Sequence, residues 1–282
     1  MDYRRDSEGR DRPRFRREGH GQPGGRHDDG RKWQRRPRSN DDMVYGLRPV
    51  MEALSSAREI ERITVSESLG REQLAELRQI AHHRGVPVKT VPPAWFNRLG
   101  QRNHQGIVAT VSPITYQPLE QLLPLLYDQG LDPLIIVADG ITDVRNLGAI
   151  VRTAECAGAS GLVVPKRGTA HINADAVKTS AGALLHFPVC RVDSIAQACQ
   201  YLKDSGLRLV AASEKGATYY HKAELAGPLA LVLGDEHEGV STQLLDMCDE
   251  TVRIPIRGQV ESLNVSVSAG IILYEIERQR QL

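Results

Sequence analysis

The chain has 282 residues, 40% hydrophobic and 25% charged, with a formal net charge of +1, which suits a protein of two packed domains. Its longest apolar runs are far shorter than the roughly 18 residues of a membrane helix, and no apolar stretch follows the N-terminus, so we expect neither a membrane span nor a secretory signal. The four cysteines lack metal-ligand spacing, and we expect reduced thiols, no bound metal and a cytoplasmic location.

The net charge conceals an arginine-rich segment at residues 1–42. Lys and Arg outnumber Asp and Glu there by four, whereas the rest of the chain carries a net charge of −3. The segment has few aliphatic residues and cannot bury enough apolar surface to offset chain entropy, so we expect it to be disordered. It serves either as an electrostatic arm for RNA or as a solubilising tail without a specific partner.

Residues 43–113 have the pattern of a small α/β domain. Leu74, Leu77 and Ile80 recur at helical spacing, and Gly85 ends the helix that they predict. The predicted elements, in chain order, are a helix at 45–54, a strand at 60–65, a helix at 71–84, and strands at 86–91 and 106–111.

Residues 114–133 contain several prolines, which indicates an interdomain linker with a short helix at 119–126. In residues 134–282, buried strands alternate with helices, which predicts a second domain with a parallel sheet and helices on both faces. Its predicted strands are 134–138, 161–165, 184–189, 207–212, 229–233 and 251–256. Its predicted helices are 146–158, 174–183, 194–205, 242–248 and 263–280.

Polar residues follow three of these strands, at the edge where an open α/β sheet places its ligands. Asn146 is predicted to cap a helix whose second turn presents Arg152. Glu236 follows a later strand, and Ser262 and Asn264 lie near the start of the last helix. Each is by itself an ordinary capping or surface residue, and the sequence contains neither a glycine-rich dinucleotide motif nor a phosphate-binding loop.

Together and in this order, the three segments resemble the three sequence motifs of the SpoU family of RNA 2′-O-ribose methyltransferases, within the SPOUT superfamily. The resemblance covers nearly all of residues 43–282, and the segments 44–50 and 104–109 are similar to the substrate-binding domain of the family. The likeness is strongest to bacterial enzymes that methylate a guanosine in the peptidyl-transferase region of 23S rRNA.

The resemblance implies a fold, a cofactor and partners. The fold is α/β, with a C-terminal parallel-sheet domain that contains a deep trefoil knot and a small N-terminal α/β substrate-binding domain. The methyl donor is S-adenosylmethionine, and the adenosine-binding positions of the family correspond to Leu233, Gly234, Ile254 and Leu263. The partners are 23S rRNA or a large-subunit precursor, and a second copy of the chain in a homodimer.

The catalytic residues implied by the same resemblance are Asn146, Arg152, Glu236, Ser262 and Asn264. Arg152 acts either as the general base for the ribose hydroxyl or, since a guanidinium group is normally protonated, as a phosphate clamp that orients the hydroxyl. Asn146 orients Arg152 or the ribose, Glu236 holds the donor network, and the remaining two shape the pocket. The family usually has Gly between the two glutamate positions, where this chain has His237.

Three other functions stay open at this point. The first is 2′-O-methylation of tRNA, although enzymes of that kind usually lack the N-terminal domain. The second is a non-catalytic RNA-binding protein that assists ribosome assembly. The third is a resistance enzyme that methylates a different nucleotide of ribosomal RNA.

Overall fold

The N-terminal elements form a four-stranded mixed sheet. The computed structural model describes residues 42–56, 58–236 and 238–281, which belong to one unit. The N-terminal elements are β1 (Met43–Tyr45), α1 (Leu47–Ser55), β2 (Ile60–Ser66), α2 (Arg71–His83), β3 (Val88–Val91) and β4 (Ile107–Val111). The strand order is β1-β4-β2-β3, in which β2 and β3 are parallel and β4 is antiparallel to both of its neighbours.

Two small cores lie on the two faces of this sheet. Ile107 and Ala109 on β4 pack in the core that α1 and α2 share, whereas Val108 packs with Phe96 of a short 3₁₀ helix on the other face. This alternation is the two-residue period of a strand with both faces covered. Leu77 of α2 is fully buried, as the helical spacing predicted.

The C-terminal elements form a seven-stranded sheet with helices on both faces. The helices are α3 (Leu119–Asp128), α4 (Val144–Cys156), α5 (Ala174–Thr179), α6 (Ile195–Asp204), α7 (Thr242–Met247) and α8 (Val265–Arg280). The strands are β5 (Leu134–Ala138), β6 (Gly161–Pro165), β7 (Val189–Val192), β8 (Arg208–Ala212), β9 (Thr218–Tyr219), β10 (Leu229–Leu233) and β11 (Glu250–Arg253).

The strand order of this sheet is β7-β6-β5-β10-β8-β11-β9, and all of these pairings are parallel. Leu134 and Ile136 of β5 pack in the core with α4 and α8, whereas Ile135 and Val137 pack in the core with α3 and α6. The predicted α/β fold with a parallel C-terminal sheet and a small N-terminal domain is therefore confirmed.

The strand predicted at 184–189 is wrong. Residues Ala183–Leu185 form a 3₁₀ turn, and the strand begins at Val189, because Pro188 has no N–H to donate to a sheet. The helix predicted at 174–183 also ends early, at Thr179, because Ala181 adopts a left-handed conformation with φ of 53°.

The start of α1 and an edge strand of the C-terminal sheet also differ from the prediction. The helix predicted at 45–54 begins at Leu47, because Tyr45 pairs with Val108 in β1 and Gly46 has a φ of 91°. The short edge strand β9 was not predicted, since two residues carry no usable periodicity.

The helix predicted within the linker, α3, covers one face of the C-terminal sheet. Its leucines pack in the same core as Ile135 of β5 and Val163 of β6. The buried leucines of α3 are Leu119, Leu122, Leu123 and Leu126. Their i, i+3, i+4, i+7 spacing gives the helix the apolar stripe that a sheet-covering helix needs.

A buried carboxylate joins the N-terminal strands to the C-terminal sheet. Glu61 on β2 is only 5% exposed, and it accepts hydrogen bonds from Tyr116 and from Arg191 of β7, the latter at 3.2 Å. His171 lies 3.4 Å from the same carboxylate. Burial raises the pKa of Glu61, but the hydrogen bonds from His171 and Tyr116 and the charge of Arg191 outweigh it, and the pKa falls below its usual value of 4.5.

We expect Glu61→Gln to lower the free energy of unfolding by about 1–3 kcal/mol at pH 7, because the Arg191 guanidinium loses its buried carboxylate partner. Since folding lowers the pKa of Glu61, its stabilisation is present above pH 4.5 and is lost as the pH falls through the folded-state pKa. Urea denaturation as a function of pH measures both effects. The matched control is Glu59→Gln, which removes a more exposed partner of the same Arg191 and should cost under about 1 kcal/mol. Equal costs for the two variants would contradict the expectation.

The four cysteines form no disulfide, and burial raises the pKa of the Cys190 and Cys199 thiols to about 12. Among the described helices, none has the length and apolar character needed to cross a membrane. The described ranges also contain no cluster of three His, Cys, Asp or Glu side chains that could hold a metal ion. The arginine-rich residues 1–41 and His237 lie outside the described residues.

Candidate active site

A cavity of about 330 Å³ lies at the carboxyl ends of β8, β10 and β11. Parallel strands bring their carboxyl ends to one edge of a sheet, so loops distant in sequence meet there. The four residues predicted to bind the cofactor all line this cavity: Leu233, Gly234, Ile254 and Leu263. Glu236 lines it as well.

Gly234 lets the loop after β10 fold tightly against itself. Asp235 and Gly239 exchange backbone hydrogen bonds of 3.1 and 3.0 Å, which close a narrow loop around Glu236. A Cβ atom on Gly234 would lie 2.0 Å from the carbonyl carbon of Gly239 and 2.1 Å from the nitrogen of Val240. Both neighbours are backbone atoms, so only glycine fits this approach.

Asn146, Glu236 and Asn264 form one hydrogen-bonded network. The Asn146 side-chain amide donates to Oε1 of Glu236, and the Asn264 amide donates to the same oxygen at 3.3 Å and to Oδ1 of Asn146 at 3.1 Å. Three segments up to 118 residues apart thus meet around one carboxylate. Because Glu236 also lines the cavity, the network borders the predicted cofactor site.

Helix capping explains how two of these side chains are presented. Asp143, and not Asn146 as predicted, is the N-cap of α4, where its carboxylate accepts from Arg145 N at 2.7 Å. The side chain of Asn146 is therefore available for the network. Asn264 is the N-cap of α8, and its Oδ1 accepts from Ser266 N at 3.0 Å while its amide remains available to donate.

Arg152 and Ser262 do not join this network. Arg152 lies on α4 and is exposed, and within the described ranges no hydrogen bond or ion pair reaches its guanidinium. Six residues separate it from Asn146, which puts the two side chains about 120° apart around the helix. Ser262 is exposed in the loop before α8 and does not line the cavity.

Sequence reasoning missed the contribution of β8 to the cavity. Ser213, Glu214 and Lys215 directly follow this strand and line the cavity, as do Thr242 and Ser268. The strand itself was predicted at 207–212. The general rule that ligands bind at the carboxyl ends of parallel strands would have pointed to the loop that follows it.

The sequence model of the SpoU rRNA Methylase family matches residues 133–274, and a model for RNA 2′-O ribose methyltransferase substrate binding matches residues 43–117. The chain belongs to the SpoU family. A relative from Synechocystis sp., named as an uncharacterised tRNA/rRNA methyltransferase, is 41% identical over 241 residues, which cover 85% of this chain and 63% of the relative. A Staphylococcus haemolyticus protein, named as a TrmH-family tRNA/rRNA methyltransferase, is 34% identical over 85% of this chain and 96% of its own length.

Among solved SpoU structures, the methyltransferase AviRb of Streptomyces viridochromogenes in complex with AdoMet superposes with a TM-score of 0.53. It is 26% identical, over 84% of this chain and 89% of that chain. S-adenosylmethionine is the methyl donor of the SpoU family. The relationship to SpoU RNA methyltransferases predicted from the sequence is thus confirmed.

The cavity fits this cofactor. Its volume lies within the range of about 300–1,000 Å³ that is usual for small-molecule pockets. Ile254 and Leu263 offer apolar surface for an adenine ring, and the loop after β10, which Gly234 lets pack against Gly239 and Val240, lines the same cavity. The network of Asn146, Glu236 and Asn264 borders this cavity through Glu236.

Proposed function

We propose that this SpoU protein transfers a methyl group from S-adenosylmethionine to the ribose 2′-oxygen of a guanosine in the peptidyl-transferase region of 23S rRNA, in the cytoplasm. The observation that carries the proposal is the position of Glu236. It belongs both to the cavity that fits the methyl donor and to the network that it forms with Asn146 and Asn264. The substrate-binding match at residues 43–117 supports an RNA ribose as the acceptor.

The reaction forms a bond between the ribose O2′ and the methyl carbon while the bond from that carbon to sulfur breaks and the hydroxyl loses its proton. S-adenosylmethionine supplies the electrophilic methyl group when it is bound. A ribose hydroxyl is a weak nucleophile, so the protein has to position it and favour the loss of its proton. Leu233, Gly234, Ile254 and Leu263 hold the adenosine end of the donor.

The network supplies the positioning of the acceptor. Two amides fix Oε1 of Glu236, which leaves Oε2 without a hydrogen bond from the described residues and able to accept one from the 2′-hydroxyl. Arg152 acts on the adjoining RNA phosphate as a clamp, because a protonated guanidinium donates hydrogen bonds and does not accept a proton. Ser262 does not line the cavity, and its role in shaping the pocket remains a prediction.

We also propose a homodimer in which Arg152 completes the site of the partner subunit. Within one subunit Arg152 points away from Asn146 around α4, so it does not serve the network of its own chain. Val267 and Tyr274, seven residues apart on one face of α8, are 50% and 54% exposed. An apolar helix face of this kind is suited to a second copy. The deep knot in the C-terminal domain and the RNA-binding role of residues 1–42 remain predictions.

The RNA substrate can be identified by mapping 2′-O-methylation in a strain that lacks the gene for this protein. We expect its 23S rRNA to lose one 2′-O-methylguanosine, which mass spectrometry of nuclease fragments detects, and the purified protein to restore it with labelled S-adenosylmethionine. Loss of a methyl group from tRNA instead would assign the protein to tRNA. Absence of cofactor binding in calorimetry would favour a non-catalytic assembly factor.

A further inference from the structure

A second groove, of about 570 Å³, lies beside the cofactor cavity. It shares three lining residues with that cavity, Glu214, Ile254 and Ile256. The loop after β11 therefore separates the two hollows and contributes to both. Of the nine residues predicted to bind the cofactor or to take part in catalysis, only Ile254 lines this groove.

The aromatic ring of Tyr219 organises the groove. The parallel register places Tyr219 on β9 opposite Arg253 on β11, and the Arg253 guanidinium carbon lies 4.5 Å from the centre of the Tyr219 ring. The ring of His221 is nearly parallel to the Tyr219 ring, with centres 5.7 Å apart, and Lys222 Nζ lies 6.0 Å from the Tyr219 centre. The Tyr219 ring on the two-residue strand β9 is thus surrounded by the cations of Lys222 and Arg253 and by the imidazole of His221.

The cations of the groove are not neutralised locally. Lys222, Arg253 and Arg257 line it together with two carboxylates, those of Glu214 and Glu261. Across the described ranges, none of these five side chains forms an ion pair within 4.0 Å. The Nε atom of Arg253 is moreover buried and has no hydrogen-bond partner.

We propose that this groove binds one nucleotide of single-stranded RNA adjacent to the nucleotide that is methylated. The phosphate binds to Lys222 and Arg257, and the base stacks on the exposed imidazole of His221, which itself stacks on the Tyr219 ring. Basic side chains beside stacking rings are the usual means of binding unpaired RNA, whose bases are free to stack on the protein. The assignment rests on the proposed function, because the RNA reaches this groove only if the ribose of the neighbouring nucleotide enters the site at the cofactor cavity.

The test is fluorescence anisotropy of the full chain with a labelled uridine dodecamer and with an RNA duplex of the same length. We expect the single strand to bind more tightly than the duplex. The double variant Lys222→Ala/Arg257→Ala should bind the dodecamer about tenfold more weakly and lower the salt slope by about 1.4, since each single-strand phosphate contact contributes about 0.7. Glu214→Gln, which removes a carboxylate, should strengthen binding. The matched control is Lys178→Ala, an exposed lysine outside the groove, which should change neither quantity.

A second readout locates the strand directly. A dodecamer that contains 4-thiouridine should cross-link, on irradiation, to the segment 219–222, as mapped by mass spectrometry. Unchanged affinity and salt slope in the double variant, cross-links confined to other segments, or no binding of the dodecamer by the unsubstituted chain would each overturn the inference. Calorimetry with S-adenosylmethionine and methyl transfer to 23S rRNA test the proposed function separately, so a failure there is distinguishable from failure of the groove.

Discussion

Replacing Arg152 with alanine should reduce methyl transfer by at least about 10²–10³-fold, the cost of removing one preorganised charge from a reacting centre. Binding of S-adenosylmethionine should stay within about twofold of the unsubstituted protein, because Arg152 does not line the cavity. Single-turnover methylation and calorimetry measure the two quantities. Because the exposed Arg152 side chain makes no hydrogen bond within the described ranges, its loss should leave the free energy of unfolding nearly unchanged.

The same helix provides a matched control for this prediction. Arg145 is also exposed on α4, and Arg145→Ala removes an identical charge from the residue directly before Asn146 of the network. We expect that variant to keep most of its turnover. Near-normal turnover of Arg152→Ala would remove Arg152 from the mechanism.

Mixed dimers decide whether Arg152 acts across the subunit boundary. Subunits that carry Arg152→Ala are mixed in equal amounts with subunits that carry Glu236→Ala and allowed to exchange. If each site takes its arginine from the other chain, about a quarter of the sites in the random mixture regain both groups and activity returns to that level. An arginine that acts within its own chain would instead leave each mixed site lacking one group, and the mixture would stay inactive.

Gly234→Ala should abolish cofactor binding. The added Cβ would lie 2.0–2.3 Å from backbone atoms of Gly239 and Val240, so the loop after β10 would have to open, and it would displace Glu236 and the cavity wall. Overpacking of this kind typically costs about 1–3 kcal/mol of folding stability, which a domain of this size can tolerate. Calorimetry with S-adenosylmethionine, alongside circular dichroism to verify the fold, measures the effect.

Gly258→Ala is the control for Gly234→Ala. Gly258 lies in the neighbouring loop after β11, outside the left-handed region, and its nearest atom to an added Cβ is 4.0 Å away. We expect this variant to bind the cofactor within about threefold of the unsubstituted protein. Retained binding of S-adenosylmethionine by Gly234→Ala would show that the loop after β10 can open and that its closed form is not required for cofactor binding.

Periodicity and strand order explain what the sequence could predict. The continuous apolar run at Leu134–Ala138 and the helical spacing of Leu77 are local signals, so the elements that contain them were predictable. The meeting of Asn146, Glu236 and Asn264 followed from a general rule, because the carboxyl ends of parallel strands share an edge.

Other features depend on contacts that a single sequence does not encode locally. The early end of α5 depends on the left-handed Ala181, a conformation that residue type does not indicate. The groove at Tyr219 depends on β9 pairing with β11, and a two-residue strand acquires its structure only from that neighbour. The capping of α4 by Asp143 could have been predicted, since Asp is as favourable an N-cap residue as Asn and Asp143 precedes Asn146 in the sequence.

The leucine-lined helix α3 determines where the protein can be divided. A catalytic fragment that starts at residue 134 would leave an uncovered apolar trough along Ile135 and Val163, and it should aggregate during purification. A fragment that starts just before Pro118 would keep α3 and so would keep this apolar surface buried. Any exchange of the N-terminal half between relatives, in the laboratory or in evolution, would have to leave α3 with the C-terminal half for the product to stay folded.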